Sequence, residues 1–112
     1  MKLIVNYLEG CFFSENARQL LENNDIPFEL NKIKWEDRHQ YKKLHPTFPQ
    51  IFIEKNNQKV LIGGYDNLKM IFDLIEKQNK NFYLDEIYLL ANKLNIPKKP
   101  FLNLIYFIKK NL

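Results

Sequence analysis

Lys2-Leu3-Ile4-Val5-Asn6-Tyr7-Leu8-Glu9-Gly10-Cys11 runs from an apolar, partly β-branched segment through a glycine to the single cysteine of the chain. Lys2 to Leu8 predicts a buried strand, and Gly10 ends it. Downstream, Phe13, Ala17, Leu20 and Leu21 recur at i, i+4, i+7 and i+8, one face of a helix that Cys11 opens. Asn23-Asn24 closes that helix, and Pro27 forbids its continuation.

Further along, Phe28 to Ile33 alternates as a second strand. Glu36 to Leu44 reads as a short helix with Tyr41 and Leu44 inward and Arg38, Lys42 and Lys43 outward. His45-Pro46-Thr47-Phe48-Pro49 is a loop. Gln50 to Glu54 and Lys59 to Ile62 are strands joined by a turn at Asn56-Asn57-Gln58. After Gly63-Gly64, the residues Leu68, Ile71, Phe72 and Ile75 mark a helix to about residue 78. The order βαβαββα makes the first two strands parallel and the last two antiparallel. The expected fold class is α/β, a mixed four-stranded sheet flanked by helices.

Tyr83, Ile87, Leu90, Ala91 and Leu94 then fall in helical register, and so do Phe101, Leu104, Ile105 and Ile108, with Pro97 and Pro100 between the two runs. Residues 1–79 are expected to form one domain and residues 80–112 an appended helical hairpin. These apolar faces are expected to pack on the sheet domain, with a homodimer interface as the alternative use. Charge divides the chain at the same place. Residues 1–79 are balanced, while residues 80–112 carry six Lys against two acidic residues, and this stretch produces the net charge of +4. It contains no Arg, so its lysines are expected to be solvated helix-end charges and not a nucleic-acid face. The longest apolar run, Phe101 to Ile108 interrupted by Asn103, is far short of the ~20 residues a membrane span needs. The start shows no signal-peptide pattern, because Asn6 and Glu9 break its apolar stretch. The expected setting is therefore cytoplasmic, with no membrane partner.

A lone cysteine in such a domain is ordinarily a small buried apolar residue. Cys11, however, stands at a helix start, where backbone N–H groups lack partners and the helix end is partially positive. Both features favour thiolate, the nucleophilic form. Ser14 lies three residues on; it either donates its hydroxyl to the sulfur or is a plain helix-start serine.

Three motifs lie at telling places: Cys11-Phe12-Phe13-Ser14 after the first strand, Thr47-Phe48-Pro49 before the third, and Gly63-Gly64-Tyr65-Asp66 before the third helix. In these the chain resembles the glutaredoxin family of thioredoxin-fold proteins over residues 1–79. His45-Pro46-Thr47-Phe48-Pro49-Gln50 is similar to the Trp-Pro-Thr-Phe-Pro-Gln segment of its monothiol branch.

The resemblance implies glutathione as co-substrate, Cys11 as nucleophile and a cis peptide at Pro49 beside it. It also implies that the Phe48 backbone pairs with the cysteinyl part of glutathione, and that Phe13 walls the groove. Gly64 and the backbone of Tyr65, Asp66 and Asn67 would receive the γ-glutamyl carboxylate. The implied partners are glutathionylated or disulfide-bearing proteins. Two further readings accompany it: a [2Fe–2S] cluster bridged by Cys11 of two chains, and an interaction protein of little activity. No other metal site is expected.

Three residues depart from the family pattern. Leu8 stands where a lysine is usual, Asn67 where an Asp often binds the glutathione amino group, and Phe12 where Pro or Gly follows the cysteine. Arg38 and Lys42 are the candidates to replace the lysine.

Overall fold

The computed structural model describes residues 1–78 and 83–112. Four strands form one sheet: β1 (Lys2–Leu8), β2 (Glu29–Ile33), β3 (Gln50–Lys55) and β4 (Gln58–Gly63), in the order β2-β1-β3-β4. β1 and β2 are parallel, with Val5 opposite Leu30, and the other two pairs are antiparallel. The helices are α1 (Phe12–Asn23), α2 (Tyr65–Gln78), α3 (Leu84–Lys93) and α4 (Lys98–Asn111). This is the expected mixed four-stranded sheet flanked by helices, with two more helices C-terminal to it.

Strand pleating sends alternate side chains to opposite faces, and this decides what each face meets. Leu3 and Val5 of β1 stand opposite Ile53 and Ile51 of β3 and enter the main core. There they join Ala17 and Leu21 of α1 and Leu68, Ile71, Phe72 and Ile75 of α2. Ile87 and Ala91 of α3 and Phe101, Leu104, Ile105 and Ile108 of α4 belong to the same core. The other face presents Ile4, Asn6 and Leu8, paired with Phe52, Gln50 and Ile33.

Two helix ends are closed by one device. Asp25 after α1 and Asn95 after α3 take left-handed backbone, φ 56° and 58°. The following isoleucine N–H then bonds back across the turn, Ile26 to Leu21 and Ile96 to Ala91. Each isoleucine is buried, and a proline, Pro27 or Pro97, stops the helix from resuming. At the β3–β4 hairpin, Asn56 and Asn57 both have positive φ, as a two-residue hairpin turn requires.

Several expectations need correction. The segment expected to be helical over 36–44 is a 3₁₀ helix, Trp35–Tyr41. None of its residues is buried, so no packed face sustains a full α-helix, and Leu44, expected inward, is 50% exposed. In α1 the inward positions are Ser14, Ala17 and Leu21, leaving Phe13 at the surface. Pro100, expected between the helices, lies in the first turn of α4, where a missing N–H costs nothing. Tyr83 is exposed and contributes no buried face. The expected boundary at 79/80 and the start of the second helical run at 82 lie outside the described residues.

Candidate active site

β1 and β2 together deliver the chain to the cysteine. The ladder extends one step beyond β1, where Glu9 N–H donates to the Ile33 carbonyl at 2.9 Å. Gly10 then turns the chain at φ 80°, which a side chain would resist. Cys11 N–H donates to Leu8 O at 3.1 Å, and Cys11 caps α1 in extended conformation with no side-chain cap. Its own carbonyl accepts the Glu15 N–H at 3.1 Å.

The thiol is half-buried. Its Sγ lies 3.9 Å from the Phe48 carbonyl oxygen, within reach of a long S–H···O contact. Leu8, Ile33 and Phe48 form a small apolar cluster with Cys11 and Tyr41 packed against it. Tyr41 and Phe48 meet edge to face at 6.5 Å. Leu8 is therefore committed to packing. The Phe48–Pro49 peptide is cis. Phe12 and Phe13, next in sequence after Cys11, form an exposed edge-to-face pair, 71% and 52% exposed.

Ser14 is fully buried, and its Oγ accepts the Leu8 N–H at 3.1 Å, which fastens the first turn of α1 to the end of β1. No hydrogen bond joins it to Cys11 among the described residues. A second fastening lies behind it. The Tyr7 hydroxyl donates to Glu15 at 2.5 Å, and Arg18 bridges Glu15 and Glu22. Arg18 and then Tyr7 hold the Glu15 carboxyl down from 4.5 to about 2. Glu15 in turn raises the Tyr7 hydroxyl.

Beside the thiol runs a groove of about 240 Å³, lined by Phe13, His45, Thr47, Phe48, Gly64, Tyr65 and Asp66. A larger hollow of about 600 Å³ lies where Leu20, Phe72 and Leu112 meet, but it shares no residue with the cysteine's surroundings. Chemistry, not size, marks the smaller one. Gly64 comes close to the chain after Phe48: a Cβ on it would stand 3.5 Å from the Pro49 carbonyl. At the start of α2, Leu68 N–H is bonded back to Gly64 O at 3.2 Å. The amides of Tyr65, Asp66 and Asn67 precede it, in the turn where a helix leaves its N–H groups without helical acceptors.

Of the residues anticipated for glutathione, Phe13, Phe48, Gly64, Tyr65 and Asp66 line this groove, whereas Pro49 is buried and does not line it. Asn67 does not line it. Its side chain turns back to donate to Ile62 O at 2.9 Å and covers Gly63, where φ is 125°. Arg38 is likewise committed: its guanidinium stacks 3.9 Å above Trp35 and donates to that residue's carbonyl. Neither Arg38 nor Lys42 lines the groove.

Two lining residues, His45 and Thr47, were not anticipated as contacts. Their only sequence signal was membership of the proline motif. Their loop is held by Gln50, fully buried, whose side-chain nitrogen donates to the carbonyls of Tyr41 at 2.9 Å and His45 at 2.8 Å. Gln50 is itself gripped by Asn6 at 3.0 Å, and Asn6 accepts from Asn31 at 3.1 Å. A chain of three amides thus crosses β2, β1 and β3 to reach the loop.

The family model described as Glutaredoxin matches residues 1–57, half of the chain, a span that contains Cys11, the proline motif and three strands. No curated protein and no solved structure shows significant similarity to the chain. No described helix is long and apolar enough to cross a membrane.

Proposed function

The chain belongs to the glutaredoxin family, and we propose that it is a glutathione-dependent thiol–disulfide oxidoreductase working through the single thiol of Cys11. The observation that carries this reading is the half-buried Cys11 sulfur at the start of α1, 3.9 Å from the Phe48 carbonyl at the groove wall.

Glutathione lies extended in the groove, its cysteinyl unit paired with the Phe48 backbone as an added strand. Phe13 walls one side. Backbone amides at the start of α2 receive the γ-glutamyl carboxylate, as helix N-termini receive anions. Asp66 supplies the anionic partner for the ammonium group. Asn67 contributes backbone alone, since its side chain is spent on Ile62.

Turnover needs one protein sulfur. The Cys11 thiolate attacks the glutathione sulfur of a protein–glutathione disulfide. The old S–S bond breaks, and the protein leaves as a thiolate that takes a proton from water. The new bond joins Cys11 to glutathione. A second glutathione thiolate attacks the glutathione sulfur of that adduct, which releases glutathione disulfide and returns the Cys11 thiolate. The incoming glutathione is the reductant: one is consumed for each protein–glutathione disulfide reduced, and it leaves paired with the glutathione that the substrate carried.

We place this activity in the cytoplasm, where glutathione is kept reduced. An iron–sulfur cluster bridged by two copies is the reading not favoured, because the residue directly after Cys11 is Phe12, a bulky exposed ring, where the family usually has Pro or Gly.

The test is intact mass after treatment with glutathione disulfide. Wild type gains one glutathione, and Cys11→Ser gains none. A wild type that stays unmodified would refute the reading.

A further inference from the structure

Building on the glutathione reading, we propose that His45 is the cationic anchor of the groove, receiving the glycyl carboxylate of the bound tripeptide and making its binding depend on pH. Glutathione carries two carboxylates and one ammonium group. The start of α2 provides amides for one carboxylate, and Asp66 provides a counter-charge for the ammonium. The second carboxylate needs a cation.

The direction of the peptide says where. The chain after Phe48 meets α2, for the Pro49 carbonyl lies beside Gly64. A tripeptide paired with Phe48 and anchored by its γ-glutamyl end at α2 must send its glycyl end the other way, towards Thr47 and His45. Leu8 is buried in the apolar cluster there, and Arg38 is stacked on Trp35. Among the residues lining the groove, His45 is the one whose side chain can carry positive charge. Gln50 fixes the backbone that bears it, through the 2.8 Å hydrogen bond to its carbonyl.

Imidazole changes charge between pH 5 and 8, where carboxylates and ammonium groups do not. Tyr65 and Asp66 share the groove lining with His45, Tyr41 is joined to it through the Gln50 side chain, and Lys42 and Lys43 precede it in sequence. Replacing Cys11 by Ser removes thiol chemistry from the measurement.

The experiment is calorimetric titration of Cys11→Ser with S-methylglutathione, which cannot exchange disulfides, at about pH 5.5 and about pH 7.5. Binding is expected to be about fivefold tighter at the lower pH, the gain of a charged over a neutral hydrogen bond. Adding His45→Asn abolishes that dependence, and adding His45→Lys keeps the tight value at both pH values. The glycinamide analogue, which lacks the terminal carboxylate, binds without pH dependence and needs no variant at position 45. His39→Asn, on the exposed 3₁₀ segment, changes nothing. Binding of equal strength at both pH values, or a dependence that survives His45→Asn, would overturn the assignment of His45 alone. Absence of binding at either pH would overturn the glutathione reading and this inference with it.

Discussion

The Asn6 side chain donates to the Gln50 side chain at 3.0 Å across the middle of the sheet, and both residues are buried. Because Gln50 passes its own donors to Tyr41 and His45, a contact between β1 and β3 positions a loop that neither strand contains.

Gln50→Leu keeps the volume and removes every one of those bonds. It leaves the Asn6 amide and two loop carbonyls without partners, at roughly 1–3 kcal/mol for an unpaired buried group. The expected loss of stability is about 2–4 kcal/mol by urea unfolding, with faster amide exchange from Lys42 to Phe48. A loss below about 0.5 kcal/mol would mean that the amide chain does not hold the loop.

The two adjacent glycines should respond differently. Gly63→Ala places a side chain at φ 125°, where it would collide with the Asn67 amide, and should cost about 1–3 kcal/mol. Gly64→Ala meets only the Pro49 carbonyl at an ordinary contact distance and should cost less than about 1 kcal/mol. Paired urea melts check the order, and equal costs would contradict it.

Acid stability should carry the mark of Glu15, whose carboxyl is lowered from 4.5 to about 2 by Arg18 and Tyr7. A carboxyl lowered in the folded state stabilises above its unfolded value and loses that contribution as pH falls through the folded value. The stability difference between wild type and Glu15→Gln should therefore be constant above pH 4.5 and disappear as pH approaches about 2. A difference unchanged down to that pH would contradict the assignment.

Much of this architecture was legible in the residues. Lys2 to Leu8 announced β1 because its apolar run is broken sharply at Gly10, and Leu68, Ile71, Phe72 and Ile75 announced α2 because all four share one helical face and are buried. Helical spacing misled at Phe13, where an apolar residue belongs to the groove while the small Ser14 takes the inward place by bonding to Leu8. It misled again at Leu44, because the segment before it winds as a 3₁₀ helix with no buried residue. Cys11 stood out through its place after a strand and a glycine. His45 did not, because what brings it to the groove is a hydrogen bond from Gln50, whose own anchor, Asn6, is 44 residues away in sequence.

The most direct measurement is turnover of a glutathionylated peptide in the presence of glutathione, followed as release of the peptide thiol. Wild type should release it at a rate at least about a hundredfold above Cys11→Ser, as expected when the attacking nucleophile is removed. Equal rates for the two proteins would contradict the assignment of Cys11 as the nucleophile.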